Sequence, residues 1–212
     1  MAFDFKKEYK EFYMPKNIPS IIDLPTMNYI AVRGKGDPNE EGGEFKRAIE
    51  MLYGVGFTIK MSYKTSHSID GYFEYVMPPL EGLWRQEGSL MNIDYTRKDK
   101  LDFIAMIRLP DFVTEKDVEW AVAQASEKKK GDFSAVQYMQ YCDGICVQCM
   151  HIGSYDSEPG TIALMHEYAE KNGFSTDVGG LRLHHEIYLS DPRRCAESKL
   201  KTVIRQPLIK NT

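Results

Sequence analysis

The chain has 212 residues, 42% of them hydrophobic and 27% charged, an ordinary globular composition with length for one large core or two fused half-domains. A formal net charge of −4 leaves no cationic footprint for tracking a phosphate backbone or an anionic bilayer, so no direct nucleic-acid partner is expected. No apolar run suits a signal peptide or a membrane span, and the expected location is the cytoplasm, away from membranes.

Residues 1–26 read as an amino-terminal extension, and residues 27–212 as the folded domain. Met27 to Arg33 predicts a strand that runs into the flexible stretch from Gly34 to Pro38. Phe45, Ala48, Leu52, Val55, Ile59 and Tyr63 then recur at steps of three and four, the stripe of a buried helix face. Gly54 and Gly56 oppose that helix by about 1 kcal/mol each, so tertiary packing has to outweigh them. Strands are expected over Tyr72 to Met77 and Leu101 to Leu109, separated by Pro78-Pro79 and a polar insertion around Glu87 to Lys100. Thr114, three residues before Asp117, has the spacing of a capping box for a connecting helix over about 114–130, with Val118, Ala121, Val122 and Ala125 as its apolar stripe.

The order then repeats: a strand from Ile145 to His151, a turn at Gly153, and a helix entered at Ser157-Glu158-Pro159 and stopped by Asn172-Gly173. Strands over Leu181 to Leu189 and Lys201 to Leu208 complete the unit. Ile-Arg-x-Pro occurs in both units, with Arg108 and Arg205 97 positions apart. Agreement of element order around that match indicates an internal duplication, with one half over about 27–113 and the other over about 140–210. The predicted fold class is α+β: two strand-helix-strand-strand halves forming a pseudo-twofold, antiparallel-rich sheet, helices on one side and a ligand cleft on the other.

Cys142, Cys146, Cys149 and Cys195 are too few and too irregularly spaced for a secreted disulfide framework, and reduced thiols are expected. On a strand, Cys146 and Cys149 point to opposite faces, so small buried thiols are a better reading than a zinc site. Neither a metal nor a cofactor is expected; no phosphate-binding loop or nucleophile elbow occurs.

The strand from Leu181 to Leu189 alternates. Leu181, Leu183, His185, Ile187 and Leu189 form one face, expected against the helices, and Arg182, His184, Glu186 and Tyr188 form the other, expected to meet a cleft or bulk water. His185 reads as a satisfied core histidine and Trp120 as a packing residue of the connecting helix.

The run from Glu186 to Pro192, followed by Lys199 to Pro207, resembles the carboxy-terminal signature of the GyrI-like small-molecule-binding family. Pro79-Leu80-Glu81-Gly82-Leu83-Trp84 and Gly153-Ser154-Tyr155-Asp156-Ser157-Glu158-Pro159 are similar to its other recurrent stretches, in the expected order from about Met27 onward. The resemblance implies a duplicated domain that binds aromatic or cationic compounds between its halves, with Glu186 as the central negative charge and aromatic side chains as walls. Some standalone members are hydrolases of cyclopropane-bearing alkylating natural products, which implies a detoxifying, drug-resistance role. The family's transcription regulators carry a DNA-binding domain before this module, for which about 26 residues leave too little chain.

The ligand-binding candidates are Trp84, His184, Glu186 and Tyr188; the catalytic candidates are Glu186, as general base toward water, with Tyr155 and Tyr188 as donors to a substrate carbonyl. Arg85 stands beside Trp84 where standalone relatives often have a second aromatic, and it is expected to alter ligand choice. The competing expectation is a binding module that sequesters a small organic, aromatic ligand or reports it to an unidentified partner protein.

Overall fold

The computed structural model describes residues 2–86, 97–179 and 182–211. Two short helices, α1 (Phe5–Glu8) and α2 (Lys10–Tyr13), open the chain, followed by β1 (Ser20–Leu24), β2 (Met27–Lys35) and the long α3 (Glu44–Lys60). β3 (Leu80–Gln86), β4 (Leu101–Arg108) and α4 (Glu115–Lys129) follow. The capping box is present as the spacing predicts, with the Thr114 hydroxyl accepting from the Asp117 backbone and the Asp117 carboxylate accepting from that of Thr114. The chain continues through β5 (Gln137–Tyr141), β6 (Gly144–Ile152), α5 (Glu158–Lys171), β7 (Phe174–Thr176), β8 (His184–Tyr188) and β9 (Lys201–Lys210).

Eight strands lie side by side in the order β1-β6-β9-β8-β3-β4-β2-β5, every pairing antiparallel, with β7 joined to β9. The order reads symmetrically outward from the β8–β3 seam: β9 answers β4, β6 answers β2, and the edge strands β1 and β5 each cross to the opposite half. Arg108 and Arg205 sit on the corresponding strands β4 and β9, both buried and both turned toward α1 and α2.

The expected strand over Tyr72 to Met77 is a loop carrying a single bridge from Tyr75 to Phe3, and the strand lies beyond the two prolines at Leu80–Gln86. Pro78 and Pro79 cannot donate to a ladder, and Gly82 weakens the strand signal where the strand is. Residues 87–96 of the predicted insertion, and Leu181 of the predicted last-but-one strand, lie outside the described residues. β8 begins only at His184, because Arg182 is drawn aside to the carbonyls of Asp143 and Ile145 and to the Asp177 carboxylate.

Both faces of the sheet are covered. On one, α3 and α4 pack over Ile30, Val32, Trp84, Phe103, Ala105 and Ile107, and α5 packs over Val147, Cys149 and Ile204. On the other, Phe5 and Tyr13 of the amino-terminal segment pack with Tyr75 over Ile187 and Val203, beside a second cluster around Leu83 and Met106. The first residues are therefore part of the domain's packing, and β1 is a strand of its sheet.

Beneath the amino-terminal segment lies a buried ion network. His185 bridges Asp143 (Nδ1 to Oδ2, 3.0 Å) and Glu81 (Nε2 to Oε2, 2.9 Å), and Arg205 reaches Asp143 at 3.3 Å. Burial alone would lower the His185 pKa, but the two carboxylates outweigh it and hold it up at about 9. His185 is thus the satisfied core histidine that its strand position predicts. Cys146 and Cys149 point to opposite faces, and burial pushes the Cys146 thiol up to about 12.

Candidate functional site

Strand register decides which side chains meet. Gly82 is opposite Glu186 across the β3–β8 seam, Trp84 opposite His184, and Leu80 opposite Tyr188, so Trp84, His184, Glu186 and Tyr188 share one face. That face is the one bearing the helices. The expected exchange of apolar and polar sets is therefore reversed: Leu183, His185 and Ile187 turn toward the amino-terminal side, and Glu186 lies over the central strands between α3 and α5. Alternation tells which residues share a face but not what covers it.

Glu186 is 6% exposed and held by two donors. His184 Nε2 lies 2.9 Å from its Oε1, and the Tyr188 hydroxyl donates to its Oε2 at 2.8 Å. The Trp84 indole N–H in turn donates to the Tyr188 oxygen at 2.8 Å. Burial first, and the adjacent Glu186 carboxylate second, push the Tyr188 pKa well above its ordinary value, so Tyr188 keeps the proton it donates. Trp84 is buried against Phe45 and Phe103, so it meets the site through its N–H edge and offers little free face for stacking.

A Cβ added at Gly82 would stand 2.7 Å from Trp84 Nε1 and 3.0 Å from the Tyr188 hydroxyl. Only glycine lets the indole and phenol meet above the strand at this point.

The second half contributes Glu158 and Tyr155. Glu158 opens α5, fully buried, and its carboxylate lies with a ring nitrogen of His184 and the Glu186 carboxylate in a set whose ligand atoms are all within 4.8 Å of one another. Tyr155 sits in the single turn before α5 and packs edge-on to Tyr188, ring centroids 5.9 Å apart. His151 braces that turn: its Nε2 donates to the Ser154 carbonyl at 2.9 Å while Nδ1 accepts from Thr161. Burial, then Glu186, Glu158 and Asp191, push the Tyr155 hydroxyl up to about 12, and it donates to no described residue.

All five sequence candidates thus come together, and three groups that sequence reasoning did not single out join them: Gly82, Glu158 and, behind His184, Gln206. Two carboxylates and a histidine at this spacing could hold a divalent cation only if His184 gave up the N–H it directs at Glu186. Arg85, expected beside the site, projects from the opposite face and pairs with Asp102 at 3.0 Å. It lines a separate open groove of about 580 Å³ with Arg33, Leu83, Met139 and Tyr141. Trp120 stacks on His67 at 4.0 Å and packs against the helical core, away from Glu186.

A family model described as the GyrI-like small molecule binding domain matches residues 18–209. The chain belongs to the GyrI-like family. Solved structures with the same architecture include an uncharacterized conserved protein from Listeria innocua at 44% identity and TM-score 0.91, aligned over 98% of this chain and all of the other. Another is described as a hydrolase from Listeria innocua, at 42% identity and TM-score 0.89, again over 98% of this chain and all of that one. The EcmrR C-terminal domain shares the fold at 13% identity and TM-score 0.53, over 91% of this chain and 97% of that domain. No curated protein matches the chain. Among the described residues, no helix of this GyrI-like protein is long and apolar enough to cross a membrane.

Proposed function

We propose that this GyrI-like protein hydrolyses an electrophilic small molecule held between its halves, with Glu186 as the general base. The observation that carries the reading is the state of Glu186: a buried carboxylate whose two oxygens are each fixed by a donor, beside a second buried carboxylate. Such fixing costs no reorganisation when a water is deprotonated. The relatives described as hydrolases, at 42% and 43% identity, support the same reading.

For a cyclopropane activated by a conjugated carbonyl, the reaction is addition of water across one ring bond. Water gives one proton to Glu186, and its oxygen forms a bond to a ring carbon. The carbon–carbon bond opens, and its electron pair moves into the carbonyl as an enolate. In this reading Tyr155 is the donor to that oxygen, which its protonated hydroxyl, uncommitted among the described residues, supports. The Tyr188 hydroxyl is committed to its hydrogen bond with Glu186, and Tyr188 is a positioning residue. The proton on Glu186 then returns to the enolate carbon, leaving an alcohol.

The second reading, a module that binds a cationic aromatic compound without turnover, is favoured by the closeness of Glu158 and Glu186, two negative groups that a ligand cation would balance. Incubation of a cyclopropane-bearing electrophile in large excess over protein, with mass spectrometry for a product heavier by one water, separates them. Conversion of many equivalents supports the hydrolase, and a stop at one equivalent or none supports the binder.

A further inference from the structure

Behind Glu186 runs a line of hydrogen bonds that leaves the site and ends on α5. His184 is 2% exposed, and its second ring nitrogen, Nδ1, lies 3.1 Å from the side-chain nitrogen of Gln206, itself 2% exposed. The Gln206 side-chain oxygen is bonded by Nε2 of His166, a half-buried residue of α5. Directions along this line follow from chemistry. An amide nitrogen can only donate, so Nδ1 of His184 must accept and carry no proton, and a neutral imidazole then bears its proton on Nε2, where Glu186 accepts it. The amide in turn is oriented by His166, which donates from Nε2 to its oxygen whether the ring is neutral or charged.

We infer that Gln206 and His166 are positioning residues that fix His184 as the neutral Nε2–H tautomer, so that Glu186 faces a neutral donor instead of an imidazolium. An amide does not pass a proton along, so the line orients and does not conduct, and a proton taken up by Glu186 has to leave on the substrate side. A protonated His184 would place a full positive charge 2.9 Å from the carboxylate and weaken its pull on a water proton. The groups that face His184 are Gln206, Glu186 and Glu158, with Trp84 across the strand seam. The effect on turnover rests on the hydrolase reading; the tautomer does not.

The test uses the full chain with 15N-labelled histidine, whose five rings can be told apart in long-range 1H–15N spectra. In the parent, His184 should show a protonated Nε2 and a bare Nδ1. Gln206→Glu replaces the donor with an acceptor and should protonate both nitrogens near neutral pH, lowering kcat on the order of tenfold with KM little changed. His166→Ala, at a half-buried position that tolerates truncation, should blur the single tautomer, and His166→Gln, which keeps a donor, should restore it. Unchanged His67 and His151 signals report an intact fold. An imidazolium or an Nδ1–H tautomer in the parent overturns the inference, as does a Gln206→Glu protein whose His184 is unaltered, or whose His184 changes while kcat does not. If the spectra behave as expected but the parent turns over no electrophile, the hydrolase reading alone falls.

Discussion

Replacing Glu186 with Gln separates what this residue does for the fold from what it does for chemistry. The side chain is nearly unchanged in size, and one amide oxygen can still accept from His184 while the amide nitrogen donates to the Tyr188 oxygen. The change loses charge from the His184 hydrogen bond and takes the acceptor away from the buried Tyr188 O–H, about 2–4 kcal/mol together. Against this, Glu158 and Glu186 lie within 4.8 Å, and two full charges at that separation repel by about 3 kcal/mol at an effective dielectric constant near 20. Relief of the repulsion is comparable to the loss, so Glu186→Gln should melt within a few degrees of the parent. Turnover should nevertheless fall about a hundredfold to ten-thousandfold, the usual contribution of a general base. Thermal denaturation and product formation by mass spectrometry on the same preparations give both numbers. Full turnover in a well-folded variant would remove the general-base role, and a melting temperature lower by ten degrees would show that the carboxylate holds the fold together.

Gly82→Ala should destabilise by about 1–3 kcal/mol, as overpacked sites do, and cut turnover at least tenfold, because the new methyl parts Trp84 from Tyr188; a melt and a rate measurement check both. Tyr155→Phe should lower kcat with little change in KM or melting temperature, whereas Tyr188→Phe, which leaves the buried Trp84 N–H without its acceptor, should lower the melting temperature as well. The pKa of His185 is raised to about 9 in the fold, so its contribution is fully present below its unfolded pKa near 6.5 and is lost as the pH rises through about 9. Denaturant midpoints from pH 6 to pH 10 should therefore decline in the parent, and the decline should flatten in His185→Gln.

Several features of this protein are determined by its sequence alone. The three- and four-residue steps of α3, the Thr114 capping box and the alternation through β8 are local patterns, and each forms as written because helix and strand periods do not depend on distant residues. The shared face of His184, Glu186 and Tyr188 follows from the same two-residue period, and the signature stretches around Gly82 and Glu186 point to the family that the match over residues 18–209 shows. Tertiary structure decided what no local pattern encodes. The first residues read in the sequence as an extension before the folded domain, yet they bury one side of the sheet through Phe5, Tyr13 and the ring contacts of Arg108, while the Glu186 set lies on the side of the helices. Glu158 and Gln206 lie within stretches that resemble the family's, but no local pattern marks either as a site residue. They become neighbours of the candidate base only because β9 pairs with β8 and α5 starts beside them, and contacts across such separations are set by chain topology and packing.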